Sequence, residues 1–288
     1  MRRPISSQAF RVTKYLGNHA ASVKEQILAG TIYRYQPSIN YLTQKYRHYM
    51  KNLLSHLNPD SLALVRSIGI LAQQQGVAAY MVGGPVRDLM LGIPNVDLDI
   101  TVEGNAIRLA DHFADGIHGS RVTRYPAFKT ATVHLSDGRV VDFATSRREV
   151  YKQGGAFPVV TPSDIKQDLL RRDFTINAMA IGIDPENWGK MIDPYSGKAD
   201  LRAKRIRILH AKSFLDDPTR ILRAARFKVR FGFKMERGTL KSLRSAIKIK
   251  VLDTIKPQRY LKDFNKIQKE PKAQQAIKCL RTWKAYKE

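Results

Sequence analysis

The sequence predicts an α+β fold: short strands interleaved with helices over residues 60–183, then a helical remainder. Three observations carry this. Apolar runs such as Val77–Val82 and Val96–Val102 are strand-length and bounded by Gly, Pro and Asn. Asp137-Gly138 stands between two further runs, near 129–135 and 139–145, as a hairpin turn. Beyond about 183 the apolar residues recur only at helical spacing.

In chain order, residues 1–59 carry nine Lys/Arg and one acid, Glu25. This composition fits a mitochondrial transit peptide, or a basic arm that touches RNA, which we prefer. Leu62, Leu64, Val65, Ile68 and Leu71 then mark a helix opened by the start signals Asn58 to Ser61 and stopped at Gly76. The buried strand at 77–82 ends in Gly83-Gly84, and Pro85 occupies a first-turn position of the next helix. After the strand at 96–102 come a helix over about 105–116 and the hairpin. A Gly- and Pro-containing loop over 151–163 leads to a helical stretch and the apolar run Thr175–Ile183.

Composition excludes several classes. The chain of 288 residues holds 50 Lys and Arg against 25 Asp and Glu, a net charge of +25. Residues 237–288 alone carry fifteen basic and four acidic residues, whereas the 177 residues of the middle are close to balanced. A near-neutral body with two basic ends suits a polyanion, although charge runs are often merely solvated. No run approaches the roughly 18 apolar residues of a membrane span. One cysteine, Cys279, excludes a disulfide framework and suggests a reducing, intracellular setting.

The chemistry gathers in two places. On a strand, Asp97 and Asp99 project from the same face with α-carbons roughly 6–7 Å apart. Two such charges repel unless a pKa rises or a cation joins them, and a hard divalent ion, Mg²⁺ first, suits oxygen ligands. Asp142, on the strand VVDFAT, is a third carboxylate from a neighbouring strand. Asp-x-Asp alone is a weak signal, found mostly on surface strands and turns. The turn Gly83-Gly84-Pro85-Val86-Arg87 strengthens it: a helix start with no side chains at its glycines attracts phosphate, and Arg87 adds a charged fork. A plain strand-to-helix turn reads the same way.

GGPVRDLMLG, DLDIT, LLRRDFTINAMAI, IDPYSGKADLRAKRIRIL and DDPTRILRAARF, in this order from about Tyr80 to Phe233, resemble the class II tRNA nucleotidyltransferases. These are the CCA-adding enzymes and their bacterial poly(A) polymerase relatives, in the DNA polymerase β-like superfamily. The resemblance implies a nucleotidyltransferase head at 60–183 with a small mixed sheet and helices on one side. A helical neck at 184–236 and a basic helical segment at 237–288 follow, with 1–59 as an N-terminal extension. It implies metal ligands Asp97 and Asp99 and nucleotide contacts from Gly84, Arg87, Arg171, Arg172 and Asp173, to which the reading of the residues themselves adds catalytic Asp142, Gly83 of the phosphate turn and Mg²⁺ as the ion of a two-metal site. Two adjacent arginines beside apolar FTINAMAI need an anion, or an ion pair with Asp168 or Asp173.

Asp217 and Arg220 fall where the family reads the nucleobase with an Asp–Arg pair, followed on the same helix by Arg223 and Arg226. Asp-Pro is equally a capping signal, and capping and base reading compete for two carboxylate oxygens. Here Asp216 stands where the family usually has Glu. Family members generally continue through further helical regions that clamp tRNA; this sequence runs about 55 residues past the matched helix, so basic ends and tyrosines such as Tyr33 and Tyr46 are expected to share that role.

The implied activity is template-independent addition of C and/or A from CTP or ATP to a tRNA 3′ end. Alternatives are poly(A) synthesis on other RNA, or RNA binding without turnover. Tyr125-Pro-Ala-Phe-Lys-Thr-Ala-Thr-Val resembles the tRNA-adding branch. The expected compartment is the cytoplasm, or the mitochondrion if residues 1–59 include a transit peptide; the oligomeric state is open.

Overall fold

Residues 53–94, 97–150, 155 and 158–287 are described by the computed structural model. Among the described residues the first α-helix, α1 (Pro59–Gln74), starts as its sequence signals demand: Asn58 accepts a hydrogen bond from the Ser61 amide at 2.8 Å, and Pro59 needs no amide partner. Its buried stripe is Leu64, Val65, Ile68 and Ala72. In order there follow β1 (Ala79–Val82), α2 (Gly84–Leu91), β2 (Leu98–Val102), α3 (Ala106–Asp115), β3 (Arg121–Tyr125), β4 (Thr130–His134) and β5 (Val140–Thr145). The β4–β5 turn sits at Asp137-Gly138, where Gly138 takes a φ of +85° that a side chain disfavours. Next come β6 (Arg147–Val150), β7 (Val159–Pro162), α4 (Ile165–Leu170), β8 (Ala180–Gly182) and β9 (Met191–Ile192).

Seven strands form one mixed sheet in the order β3-β4-β5-β2-β1-β8-β9. Only β2 and β5 run parallel; the other pairs are antiparallel. Alternation along the strands decides what each face carries. Leu98, Ile100, Val102, Val141 and Phe143 join α1 and α3 in the core, so Asp99 and Asp142 face the other way. On that second face α4 covers β1 and β8, through Ile165 and Leu169 against Tyr80 and Val82. The β2–β5 part keeps its two carboxylates outside this apolar cover.

The helical remainder is α5 (Gly197–Arg202), α6 (Ser213–Asp216), α7 (Arg220–Phe231), α8 (Arg237–Lys248), α9 (Pro257–Gln268) and α10 (Ala273–Thr282), with β10 (Arg205–Ile206) and β11 (Lys234–Met235) paired in parallel. One apolar cluster runs from Leu54 to Ala285, with Phe174 edge-on to Phe227 of α7 at 5.9 Å. Sheet and helices are therefore packed through a common core.

Several expectations need correction. The sheet continues past residue 183 into β9, and the stretch expected to be wholly helical holds β9, β10 and β11; two-residue strands carry no readable period. Leu54, assigned to the extension, is buried in the core. Part of the expected loop at 151–163 is the β6–β7 hairpin. The strand at β3 had not been anticipated, because RVTRY lies half-open to solvent at the sheet edge. The proposed N-terminal arm or transit peptide, and Val96, fall outside the described residues.

Candidate active site

Between the sheet's second face and α7 lies a cleft of about 510 Å³. Eleven of the thirteen residues singled out in the sequence line it; Asp97 and Asp142 do not. Among the described residues nine arginines and four acids converge there with no lysine, so the cleft is strongly positive.

The floor is acidic. Asp99 on β2 stands directly across from Asp142 on β5 in the parallel register. Thr132 of β4 is the antiparallel partner of Asp142 and donates its hydroxyl to Asp142 Oδ1 at 2.5 Å. Burial pushes the Asp99 carboxyl up to about 6; Asp142 and Asp97 add to the shift, while Arg172 and Arg87 oppose it. The expected three-carboxylate cradle is not formed: among the described residues no three His, Cys, Asp or Glu groups converge to hold a metal. The reason is local. β2 begins at Leu98, which leaves Asp97 exposed ahead of the strand, and Asp142 is held toward Thr132.

At the rim, Gly83 caps α2 with a φ of +72° and no capping side chain. A Cβ there would lie 2.6 Å from Arg172 Nη1, so glycine is required both for the turn and for the arginine packed against it. Arg87 departs from expectation. It is almost fully buried, donating Nε to Asp88 at 2.8 Å and Nη1 to Asn177 at 2.5 Å, with its guanidinium 4.7 Å from the Phe231 ring centre. Its fork is taken by Asp88 and Asn177 and its face lies over Phe231 of α7, rather than standing open for a phosphate.

The Arg171-Arg172-Asp173 element divides its tasks. Asp168, fully buried, accepts from Arg171 Nε through Oδ1 and from Arg172 Nη2 through Oδ2, each at 2.9 Å. The internal ion pair weighed from sequence is thus formed with Asp168, yet both arginines line the cleft and Arg172 Nε is buried without a hydrogen-bond partner among the described residues. Asp173 pairs with Arg223 of α7 and accepts from Asn177 Nδ2 at 2.9 Å. Burial raises its carboxyl, but Arg223 and these hydrogen bonds win and leave it at about 2. Asp173 therefore orients Arg223. Arg226 Nε, also buried, lies 3.8 Å from Glu270 Oε1 and has no hydrogen-bond partner among the described residues either.

The competition at Asp217 resolves oxygen by oxygen. Oδ1 accepts from the Thr219 amide at 3.1 Å, the Thr219 hydroxyl at 2.7 Å and Arg259 Nη2 at 3.1 Å. Oδ2 carries no hydrogen bond among the described residues. Thr219, not Asp217, is the N-cap of α7. Arg220 is not paired side by side with Asp217; its Nη1 meets Ser213 Oγ at 2.6 Å and its Nη2 the Arg171 carbonyl at 2.6 Å.

Sequence reasoning missed Arg147, Glu149, Asn177, Arg230 and Arg259 in the cleft. Glu149 accepts from both Arg147 and Arg171, the latter at 3.0 Å. Arg259 lay in the C-terminal basic segment, where its charge was indistinguishable from that of its neighbours.

Residues 79–207 match the Poly A polymerase head domain. Relatives named A-adding tRNA nucleotidyltransferase match at 40–44% identity, that of Aquifex aeolicus being 44% identical over 211 residues, 73% of this chain and 25% of that protein. The chain belongs to the tRNA nucleotidyltransferase and bacterial poly(A) polymerase family. A CC-adding tRNA nucleotidyltransferase of Deinococcus radiodurans is 38% identical over 156 residues, 52% of this chain and 40% of that protein. The solved Thermotoga maritima CCA-adding enzyme complexed with tRNA superposes with a TM-score of 0.71 at 39% identity, covering 81% of this chain and 53% of that one. The chain thus spans a quarter to about half the length of these relatives.

The family generally uses a divalent metal, and the residues here fit one. Asp99, an acid raised by burial and by neighbouring carboxylates, faces Asp142 and shares the cleft with two buried arginine Nε atoms that have no hydrogen-bond partner among the described residues. Magnesium commonly takes only one or two carboxylates and completes its shell with substrate phosphates and water, so three protein acids are not required. No helix among the described residues is long and apolar enough to cross a membrane.

Proposed function

We propose that this chain transfers nucleotides, without a template, from a nucleoside triphosphate to the 3′ end of tRNA, and that adenosine addition is its principal reaction. The observation that carries it is the cleft itself: nine arginines facing an acidic strand pair across a helix-start turn. Such a cleft suits a triphosphate whose α-phosphorus must meet a hydroxyl nucleophile. The preference for adenosine rests on the higher identity to relatives named A-adding than to the one named CC-adding.

In this reading Arg171 and Arg172, held by Asp168, and Arg226 bind the phosphates. Preorganised charge of this kind is not lost to reorganisation as negative charge shifts toward the leaving group. Asp97 and Asp99 would hold Mg²⁺, which when bound supplies Lewis-acid chemistry at the hydroxyl and at the departing pyrophosphate. Asp142 takes the hydroxyl proton as the new P–O bond forms and the bond to the β-phosphate breaks. Asp217 Oδ2 accepts from the exocyclic amine of adenine or cytosine, which uracil and the matching edge of guanine lack.

The test offers the purified protein and Mg²⁺ three tRNAs, ending before C, after C and after CC, with ATP and CTP separately and together. One adenosine on the tRNA ending in CC is the expected product. CC addition alone would overturn the adenosine assignment, and no incorporation on any substrate would overturn the activity.

A further inference from the structure

We propose that a second basic region, a groove of about 780 Å³ outside the cleft, is a track for the RNA phosphodiester backbone. It is lined by six cations, Lys228, Lys234, Arg244, Lys248, Lys272 and Lys284, and by no acid. None of the six makes an ion pair or a side-chain hydrogen bond among the described residues, and all but half-buried Lys228 are exposed. An intramolecular role would show itself as a partner; the described residues supply none.

The placement follows from helix geometry. On α7, Arg226 and Arg230 line the cleft, whereas Lys228 and Val229 line the groove. A step of two residues turns roughly 200° around a helix, so the two basic regions lie on opposite sides of one twelve-residue element. Arg244 and Lys248 stand one turn apart on α8 and present their charges in line. Trp283 and Leu243 belong to the floor.

The chemistry favours RNA over a protein partner. Five of the six cations are lysines: flexible, strongly hydrated point charges with no fixed hydrogen-bond geometry. They suit a repeating backbone that is held without being read, and the cost of ordering each lysine is offset by release of condensed counterions. The groove also accounts for part of the excess charge of residues 237–288, which the cleft uses only through Arg259.

This proposal takes its RNA from the function proposed above, and its test separates the two. Binding of a fluorescent tRNA lacking its terminal adenosine is followed by anisotropy over a range of NaCl concentrations, with no nucleotide added. The probe is offered to the wild type, to a Lys234→Gln/Arg244→Gln/Lys248→Gln/Lys272→Gln variant, and to a control in which the three lysines become Arg. The expected result is at least a tenfold loss of affinity in the Gln variant. Its plot of log affinity against log salt should flatten by about 3, from roughly 0.7–0.9 per lost phosphate contact. The Arg control should bind as wild type does.

An unchanged affinity and slope in the Gln variant overturns the proposal, as does an equal loss in the Arg control. Tighter capture of a poly-glutamate peptide than of the tRNA would also overturn it, in favour of an acidic protein partner. If the wild type incorporates no nucleotide while the Gln variant still loses tRNA affinity, the groove stands and the proposed activity falls.

Discussion

The cleft and the groove on the two sides of α7 are both basic, and they are built on opposite principles. Eight of the nine cleft arginines are ion-paired to a carboxylate, among them Arg171 and Arg172 to Asp168 and Arg223 to Asp173. Among the described residues none of the groove cations is. A guanidinium fixed by a buried acid presents its remaining donors in one direction, which suits a small anion of defined shape. A free lysine presents charge in any direction, which suits a polymer. The acids of the cleft thus reduce its net charge and in exchange set its geometry.

The comparison is broken most severely at Asp173. Asp173→Ala leaves Arg223 without its buried partner and should cost about 3–5 kcal/mol, read as a fall in the urea midpoint at constant slope. A loss below about 1 kcal/mol would mean the pair does not hold the cleft wall. Acid probes the same bond without mutation. A carboxylate held at about 2 against its ordinary value near 3.8 contributes stability that is complete above pH 4 and is lost as pH falls through 2. The loss is on the order of 2 kcal/mol, with Asp168, also depressed by its arginines, acting in the same window. Stability that stays flat from pH 5 to pH 2 would contradict both assignments.

Gly83→Ala should cost about 1–2 kcal/mol, because the φ of +72° and the 2.6 Å approach to Arg172 both resist a side chain. It should also weaken nucleotide binding by displacing that arginine; a wild-type affinity would separate the turn from the phosphate site. The groove sets the small end of the scale. Lys248→Gln or Lys284→Gln should change stability by less than about 0.5 kcal/mol, since neither lysine has a partner to lose among the described residues.

What the sequence made legible follows the same physics. Asn58, Gly83-Gly84 and Asp137-Gly138 announce a cap and two turns through local chemistry, and each is found in that role. Of the three carboxylates expected together, Asp97, Asp99 and Asp142, the register joins Asp99 and Asp142, while Asp97 lies ahead of its strand. Long-range partners were not legible. Nothing near Asp173 in the chain points to Arg223, fifty residues on, and nothing near Asp217 points to Arg259. Arg87 read as a phosphate ligand because its turn is visible in sequence, whereas the Asn177 and Phe231 that occupy it are not. β10 and β11 are too short for any period to form.

The most direct measurement is single-turnover incorporation of radiolabelled ATP into a tRNA ending in CC, by the wild type and by Asp99→Asn. The variant keeps the shape of β2 and removes the charge that faces Asp142. Our account predicts adenosine addition by the wild type and a loss of at least about a thousandfold in the variant, with tRNA affinity and thermal midpoint unchanged, the scale expected when preorganised charge at the reacting centre is removed. Incorporation by Asp99→Asn at a rate near that of the wild type would contradict it.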